Sequence, residues 1–204
     1  MMEKLLADYT VRYETMLQPI AAMLEDLIMD HVRSAKRIDR VSTRAKSPER
    51  FVAKATKVND DGTPRYPDPY VQIQDQIGAR VTVYYLPDVD SLSGLLLKYF
   101  RPIEEQLIVP DSEWEFGYFG LHYVLVLPKD VVPPSIKLED APRFFELQIK
   151  TLFQHAWSEA NHDLGYKPEN PLDSNQKRLL AYTSAQAWGA DREFEQLARE
   201  LHVV

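Results

Sequence analysis

Two acidic residues stand out by position. Asp75 comes three residues before Gly78, where a tight turn is expected to lead into the run RVTVYY (80–85). Glu146 sits inside FFELQIK, where period-two alternation puts Phe144, Glu146, Gln148 and Lys150 on one face of a strand. Polar groups in so apolar a strand cost free energy unless they are paired or ligated. Two readings follow: a divalent cation shared by carboxylates from separate segments in a surface pocket, or a structural ion pair of Glu146 with Lys150 or Arg80 on an exposed sheet face.

From His31 to Lys57 the chain carries nine Lys or Arg against two acids, a net +7 in a protein whose total is −7. A solvated helix face mixes signs at i, i+4 spacing. So one-sided a block points to a bound polyanion, either nucleotide phosphates or a nucleic-acid backbone, or else to an exposed basic face without a ligand. Within it, RAKSPERFVAK (44–54) reads as a helix start, with Ser47 as cap, Pro48 at the first helical position, and Arg50 and Lys54 one turn apart. Arg44, Lys46 and Lys54 can then converge on one anion beside the free amides of that helix N-terminus. The chain has seven glycines and no GxxxxGK followed by Ser or Thr, which excludes a Walker-type ATPase.

In FGYFGLHYV, Tyr118 lies between Gly117 and Gly120, with His122 at the head of the next strand. Flanking glycines let an aromatic ring stand clear, where a base can stack on it for ~1–3 kcal/mol; the alternative is a hairpin approach with Tyr118 packed inward. His155 and His162 are seven apart on one predicted helix, but no third ligand follows at zinc spacing, so they suit packing, hydrogen bonding or phosphate contact.

Several elements must position these groups. Residues 3 to about 34 carry apolar side chains at helical spacing, with a bend expected at Pro19, and 174–202 carry a second stripe (Leu180, Ala187, Trp188, Phe194, Leu197, Leu201); both are expected to pack on the central unit. Strands are expected at 80–85, 121–127 and 143–151, separated by helices at Asp88–Tyr99, with an Asp cap, and at 151–163. This pattern predicts an α+β or α/β sandwich, a mixed sheet of four or five strands flanked by helices. Asn59 to Pro69, polar and rich in Pro and Asp, is the expected mobile loop.

With 204 residues, 45% of them hydrophobic, the chain suits one domain: an N-terminal helix (1–35), a catalytic core (36–167) and a C-terminal helix (174–204). Zero cysteines exclude a disulfide scaffold, a thiolate metal site and a cysteine nucleophile. No apolar run approaches ~18 residues and the start lacks the regions of a secretion signal, so a soluble, cytoplasmic protein with no membrane partner is expected.

In chain order, RAKSPERFVAK, DQIGARV, FGYFGLH and FELQIKTLFQHAWSEANHDLGYK resemble the signature segments of the RelA/SpoT-type alarmone synthetase domain in its stand-alone form, from about Arg40 to Lys167. The resemblance implies a nucleotidyltransferase-like sheet and transfer of the β,γ-pyrophosphate of ATP to the ribose 3′-hydroxyl of GDP or GTP, with Mg²⁺ and with AMP as leaving group. It also implies residue roles. Asp75 and Glu146 are similar to the family's magnesium-site carboxylates, with Glu146 also the base for the 3′-hydroxyl. Arg44, Lys46, Ser47, Lys54 and Arg80 fall in the ATP-gripping segments. Tyr118 falls where the family stacks the acceptor's guanine, and His122, Gln148, Lys150 and Lys167 fall on acceptor-pocket positions.

The chain departs from the family pattern in places. Trp114, Glu115 and Phe116 stand where many relatives have Lys-Pro-Asn, Lys150-Thr151 where arginine is usual in the strand motif, Asn161 for a frequent glutamate and Arg50 for a frequent serine. Three alternatives therefore stay open. One is a toxin-type relative that modifies the tRNA 3′ end, with Arg33, Lys36, Arg37 and Arg40 holding the acceptor stem; another is a maker of adenosine alarmones. The third is a nucleotide-binding module without turnover, against which the pair Asp75 and Glu146 speaks. A homo-oligomer is possible, since the helical ends can build an interface or cover the sheet.

Overall fold

The computed structural model describes residues 2–110, 112, 115–117, 120–165 and 171–204. The N-terminal stretch forms α1 (Met2–Arg12), a π-helical turn (Tyr13–Leu17) and α2 (Gln18–Val32). The irregularity expected at Pro19 thus falls just ahead of it. Pro19 has no N–H for the Thr15 carbonyl and its ring crowds that oxygen, so the backbone widens first, with the Gln18 N–H reaching back to the Tyr13 carbonyl. Tyr9, Leu17, Ile20, Leu24 and Ile28 are fully buried, as the apolar spacing requires.

The sheet has five strands in the order β1-β2-β5-β4-β3: β1 (Ile38–Ala45), β2 (Ile77–Val83), β3 (Pro102–Ile108), β4 (Gly120–Val126) and β5 (Phe144–Thr151). β2 and β5 run parallel and every other pair is antiparallel, so the sheet is mixed as expected. β1 and β3 carry no apolar alternation. β1 (IDRVSTRA) becomes a strand by pairing with the buried β2, and β3 (PIEEQLI) is an exposed edge whose two glutamates disfavour pairing with another chain. Gly78 occupies no turn: it lies inside β2, opposite Arg44 on one side and Glu146 on the other.

Period two divides the sheet into two faces. Ile77, Ala79, Val81 and Val83 of β2, Tyr123 and Leu125 of β4, and Phe145, Leu147 and Ile149 of β5 form the core with α2 and with α5 (Leu86–Leu96). The opposite face carries Arg40, Ser42 and Arg44, then Gly78, Arg80 and Thr82, then Glu146, Gln148 and Lys150, with His122 beside Gln148. α6 (Leu152–Gly165) flanks this polar face, and α7 (Ser174–Glu200) packs on α6 and α5. Between them Thr151 and Gln154 cap α6 reciprocally: the Gln154 N–H donates to Thr151 Oγ1 and the Thr151 N–H to Gln154 Oε1.

Two further expectations change. The helix predicted at Asp88–Tyr99 is two residues earlier at its start, and Asp88 lies in its first turn, accepting the Tyr85 N–H at 3.3 Å. Asp88, buried, also takes a forked ion pair from Arg37 at 2.6–3.0 Å, which holds Arg37 at φ +62° and lets its Nη1 donate to the Val203 carbonyl. The apolar stripe of α7 is mostly exposed, Leu201 at 70% and Leu197 at 51%. α7 docks instead through Ser184, Asp191 and Ala198, because small or hydrogen-bonded groups let it approach closely, while Trp188 and Phe194 pair with Phe116 and Phe153. Within the expected loop, Val58 bridges Pro64 and Asp61 closes a turn onto Thr63, with Gly62 at φ +80°.

Candidate active site

The polar sheet face opens into two adjoining cavities of about 300 and 420 Å³, which share Arg44, Gly78 and Glu146. The first also takes in Arg40, Ser42, Arg80, Gln148, His155 and Glu159; the second takes in Tyr13, Lys46, Ser47, Arg50 and Asp75. Asp75 and Glu146, 71 positions apart in the sequence, therefore border one space.

Asp75 sits in a short 3₁₀ turn (Gln74–Gln76) directly before β2. The Lys46 N–H donates to the Gln76 carbonyl at 2.8 Å, which ties this turn to the basic segment. Lys46 Nζ lies 2.8 Å from Asp75 Oδ2 and Lys54 Nζ 3.0 Å from Oδ1. Burial pushes the Asp75 carboxyl up, but the two lysines outweigh it and hold it below the usual carboxylate range. Oδ1 is buried and receives no aligned hydrogen bond despite the nearby ammonium. Lys54 comes from α3 (Pro48–Ala55), which Ser47 caps as the sequence predicts, accepting the Arg50 N–H at 3.5 Å. Arg44, Lys46, Ser47 and Arg50 thus line the same cavity as Asp75.

Glu146 pairs with neither Lys150 nor Arg80. Its Oε1 lies 2.9 Å from His122 Nδ1, on the neighbouring strand. Burial raises its carboxyl, the His122 contact lowers it further than that, and Asp75 opposes; the net direction is down. Desolvation, together with Arg80 and Arg50, draws the Arg44 guanidinium below the ordinary value. Lys150 is buried, with Nζ 3.2 Å from Ser158 Oγ. Desolvation first, then Arg80, brings its ammonium down to about 7.

Tyr13 and Glu159 line the cavities without having been read from the sequence as parts of a nucleotide site; Arg40 was read only as part of a basic run for RNA, and His155 with phosphate contact as one of three readings. For Arg40 a signal existed, since Arg40, Ser42 and Arg44 alternate through β1. Glu159 lies one helical turn beyond His155, a spacing that puts both on one face of α6. Among the described residues no group of three or more His, Cys, Asp or Glu is placed to hold a metal ion. Within the basic run, Arg33 pairs with Asp30, Arg37 with Asp88, and Arg40 faces the cavity. Tyr118, Lys167 and Trp114 lie outside the described residues. Next to Tyr118, Ser184 of α7 donates to the Gly117 carbonyl at 2.7 Å.

The sheet is mixed, and the carboxylates of Asp75 and Glu146 border one cavity with the basic segment that opens α3. Residues 43–171 match the family described as the region found in RelA / SpoT proteins, and the chain belongs to that family. It is similar to the GTP pyrophosphokinase YjbM of Bacillus subtilis (strain 168), 24% identical over 131 residues, which make up 63% of this chain and 59% of that protein. The match thus spans under two thirds of the curated relative. In fold the chain is similar to the small alarmone synthetase 1 from Bacillus subtilis, with a TM-score of 0.73 at 22% identity over 97% of this chain and 98% of that one. A structure of the same synthetase bound to its product pppGpp gives a TM-score of 0.71 at 21% identity, over 95% and 96%. No helix among the described residues is long and apolar enough to cross a membrane.

Proposed function

We propose that residues 1–204 act as one synthetase domain that transfers the β,γ-pyrophosphate of ATP to the 3′-hydroxyl of GDP or GTP, in the cytoplasm. The observation that carries this reading is the shared cavity, which Asp75 and Glu146 line together with Arg44, Lys46, Ser47 and Arg50. YjbM, named a GTP pyrophosphokinase, and the pppGpp-bound synthetase of the same fold support it.

A divalent ion fits the donor set. Two carboxylates held below their usual range offer hard oxygen ligands, and Asp75 Oδ1 is a buried acceptor without an aligned donor. Mg²⁺ characteristically uses one or two carboxylates together with substrate phosphates, so Asp75 and Glu146 are the residues to hold it. When bound, it neutralises charge on the transferred group.

The chain's own residues do the rest. Arg44, Lys46, Ser47, Lys54 and Arg80 bind and orient ATP, with Lys46 and Lys54 free to turn from Asp75 toward phosphate oxygens. Tyr118 stacks the acceptor base, and His122, Gln148, Lys150 and Lys167 line the acceptor pocket. The acceptor's 3′-oxygen attacks the β-phosphorus, the bond from that phosphorus to the α-phosphate's bridging oxygen breaks, and AMP departs. Glu146 takes the hydroxyl proton, from a rigid strand that fixes its reach.

Incubation with γ-labelled ATP, Mg²⁺ and, separately, GDP, GTP, ADP and deacylated tRNA tests the proposal. Label on GDP or GTP with one AMP per product is the expected result. Label on tRNA alone, on ADP alone, or on no acceptor overturns it.

A further inference from the structure

Three side chains hold Arg80 on the polar face. It rises from β2, and acceptors from two other elements close on its guanidinium. Nη1 lies 2.5 Å from Glu159 Oε1 and 3.1 Å from His155 Nδ1, both on α6, and Nε lies 3.4 Å from Gln148 Oε1 on β5. A guanidinium only donates, so His155 Nδ1 must be a lone pair and the ring must carry its proton on Nε2. Arg80 is 16% exposed and Glu159 51%, so the contact is made at the cavity rim, with α6 reaching over the sheet. Arg44 faces the same space and feels the charge of Arg80. Without Glu159, Arg80 would be drawn off its partners by its own repulsion from Arg44 and by solvent.

We propose that Glu159, together with His155, is a positioning residue that fixes the Arg80 guanidinium in the cavity, so that α6 sets the affinity for the donor nucleotide. The proposal rests on the assignment of ATP to Arg80 above. It separates two effects of the same carboxylate. As a holder of Arg80, Glu159 raises ATP affinity; as a negative charge beside a triphosphate, it lowers it.

The test measures ATP affinity by calorimetry in the presence of Mg²⁺, which needs no turnover, on the wild type, Glu159→Ala, Glu159→Gln, Arg80→Ala and the double variant. Glu159→Ala is expected to raise the Kd for ATP about tenfold, as misplacement of a binding group does, while Glu159→Gln, which keeps an acceptor, retains most of the affinity. In the Arg80→Ala background the loss of Glu159 causes no further loss of affinity. In turnover with GDP, Glu159→Ala raises KM for ATP and leaves kcat and KM for GDP within about twofold. An unchanged Kd in Glu159→Ala, equal loss in the Arg80→Ala background, tighter binding in both the Ala and Gln variants, or a wild type that binds no ATP overturns the inference. ATP binding with the expected pattern but no transfer to GDP or GTP leaves the positioning role standing and removes the proposed function instead.

Discussion

His122 and Glu146 are diagonal neighbours across β4 and β5, with Nδ1 and Oε1 2.9 Å apart. The contact fixes both the ionisation and the direction of Glu146, because a carboxylate that accepts a hydrogen bond is favoured over its neutral form.

Replacing that carboxylate separates chemistry from binding. Glu146→Gln keeps the size and the contact with His122 but can neither take a proton nor supply negative charge. Transfer is expected to fall by about 10²–10⁴-fold, the usual share of a general base, while ATP affinity measured without Mg²⁺ changes little. Single-turnover rates beside calorimetry check this; transfer at the wild-type rate removes Glu146 from the mechanism.

Gly78 offers a test that leaves the fold alone. It lies between Arg44 and Glu146 in the sheet, and a Cβ built on it meets nothing within 4 Å. The space it faces is the cavity itself. Gly78→Val therefore places a side chain where the nucleotide goes, and β-branching suits a strand. The melting temperature is expected to stay within a few degrees while nucleotide binding is lost; retained binding would mean that the ligand does not approach this part of the sheet.

The sequence made the core elements legible because their apolar residues repeat at periods the backbone dictates: 3.6 in α2 and two in β2, β4 and β5. β1 was opaque because its alternation is between charged and small residues, and only its pairing with β2 turns the basic block into a wall of the cavity. α3 was readable from Ser47 and Pro48, whose types suit only a helix start. The ion pairs of Asp75 with Lys46 and Lys54, and the hold of α6 on Arg80, bring together residues up to 79 positions apart, and no local periodicity encodes such a meeting.

Lys150 is expected to cost stability for the sake of the site. Its ammonium is buried and drawn down to about 7. A lysine whose folded pKa lies below the unfolded ~10.4 binds its proton more weakly in the native state. The resulting penalty is full below about pH 7 and is relieved as the pH rises toward 10. Lys150→Met is therefore expected to melt higher than the wild type at pH 6, with the gain shrinking at pH 9, and to bind the acceptor nucleotide less tightly. A lower melting temperature at pH 6 would show that the ammonium is well paired inside the protein.

Asp191 carries the opposite sign and lies away from the cavity. It is 1% exposed on α7, Oδ2 accepts the Thr151 hydroxyl at 2.8 Å, and Oδ1 has no partner. Burial raises its carboxyl to about 6, above the ordinary value of 3.8, with the Thr151 bond only partly opposing. The native state therefore holds this proton between about pH 4 and 6 while the unfolded chain has released it. Stability from this group falls across that window, by on the order of 2–3 kcal/mol, and stays low above it. The carboxylates of Asp75, Glu146 and Glu159, all held below their usual range, act the other way as the pH drops. Only a difference between variants isolates Asp191. Asp191→Asn keeps an acceptor for Thr151 and never ionises. The melting temperature of the wild type minus that of Asp191→Asn is expected to fall between pH 4.5 and pH 7.5; a flat or rising difference would mean that Asp191 is ionised and compensated where it sits. Because Thr151 also caps α6, which carries His155 and Glu159, the same scan with ATP present reports whether the α7 contact reaches the cavity.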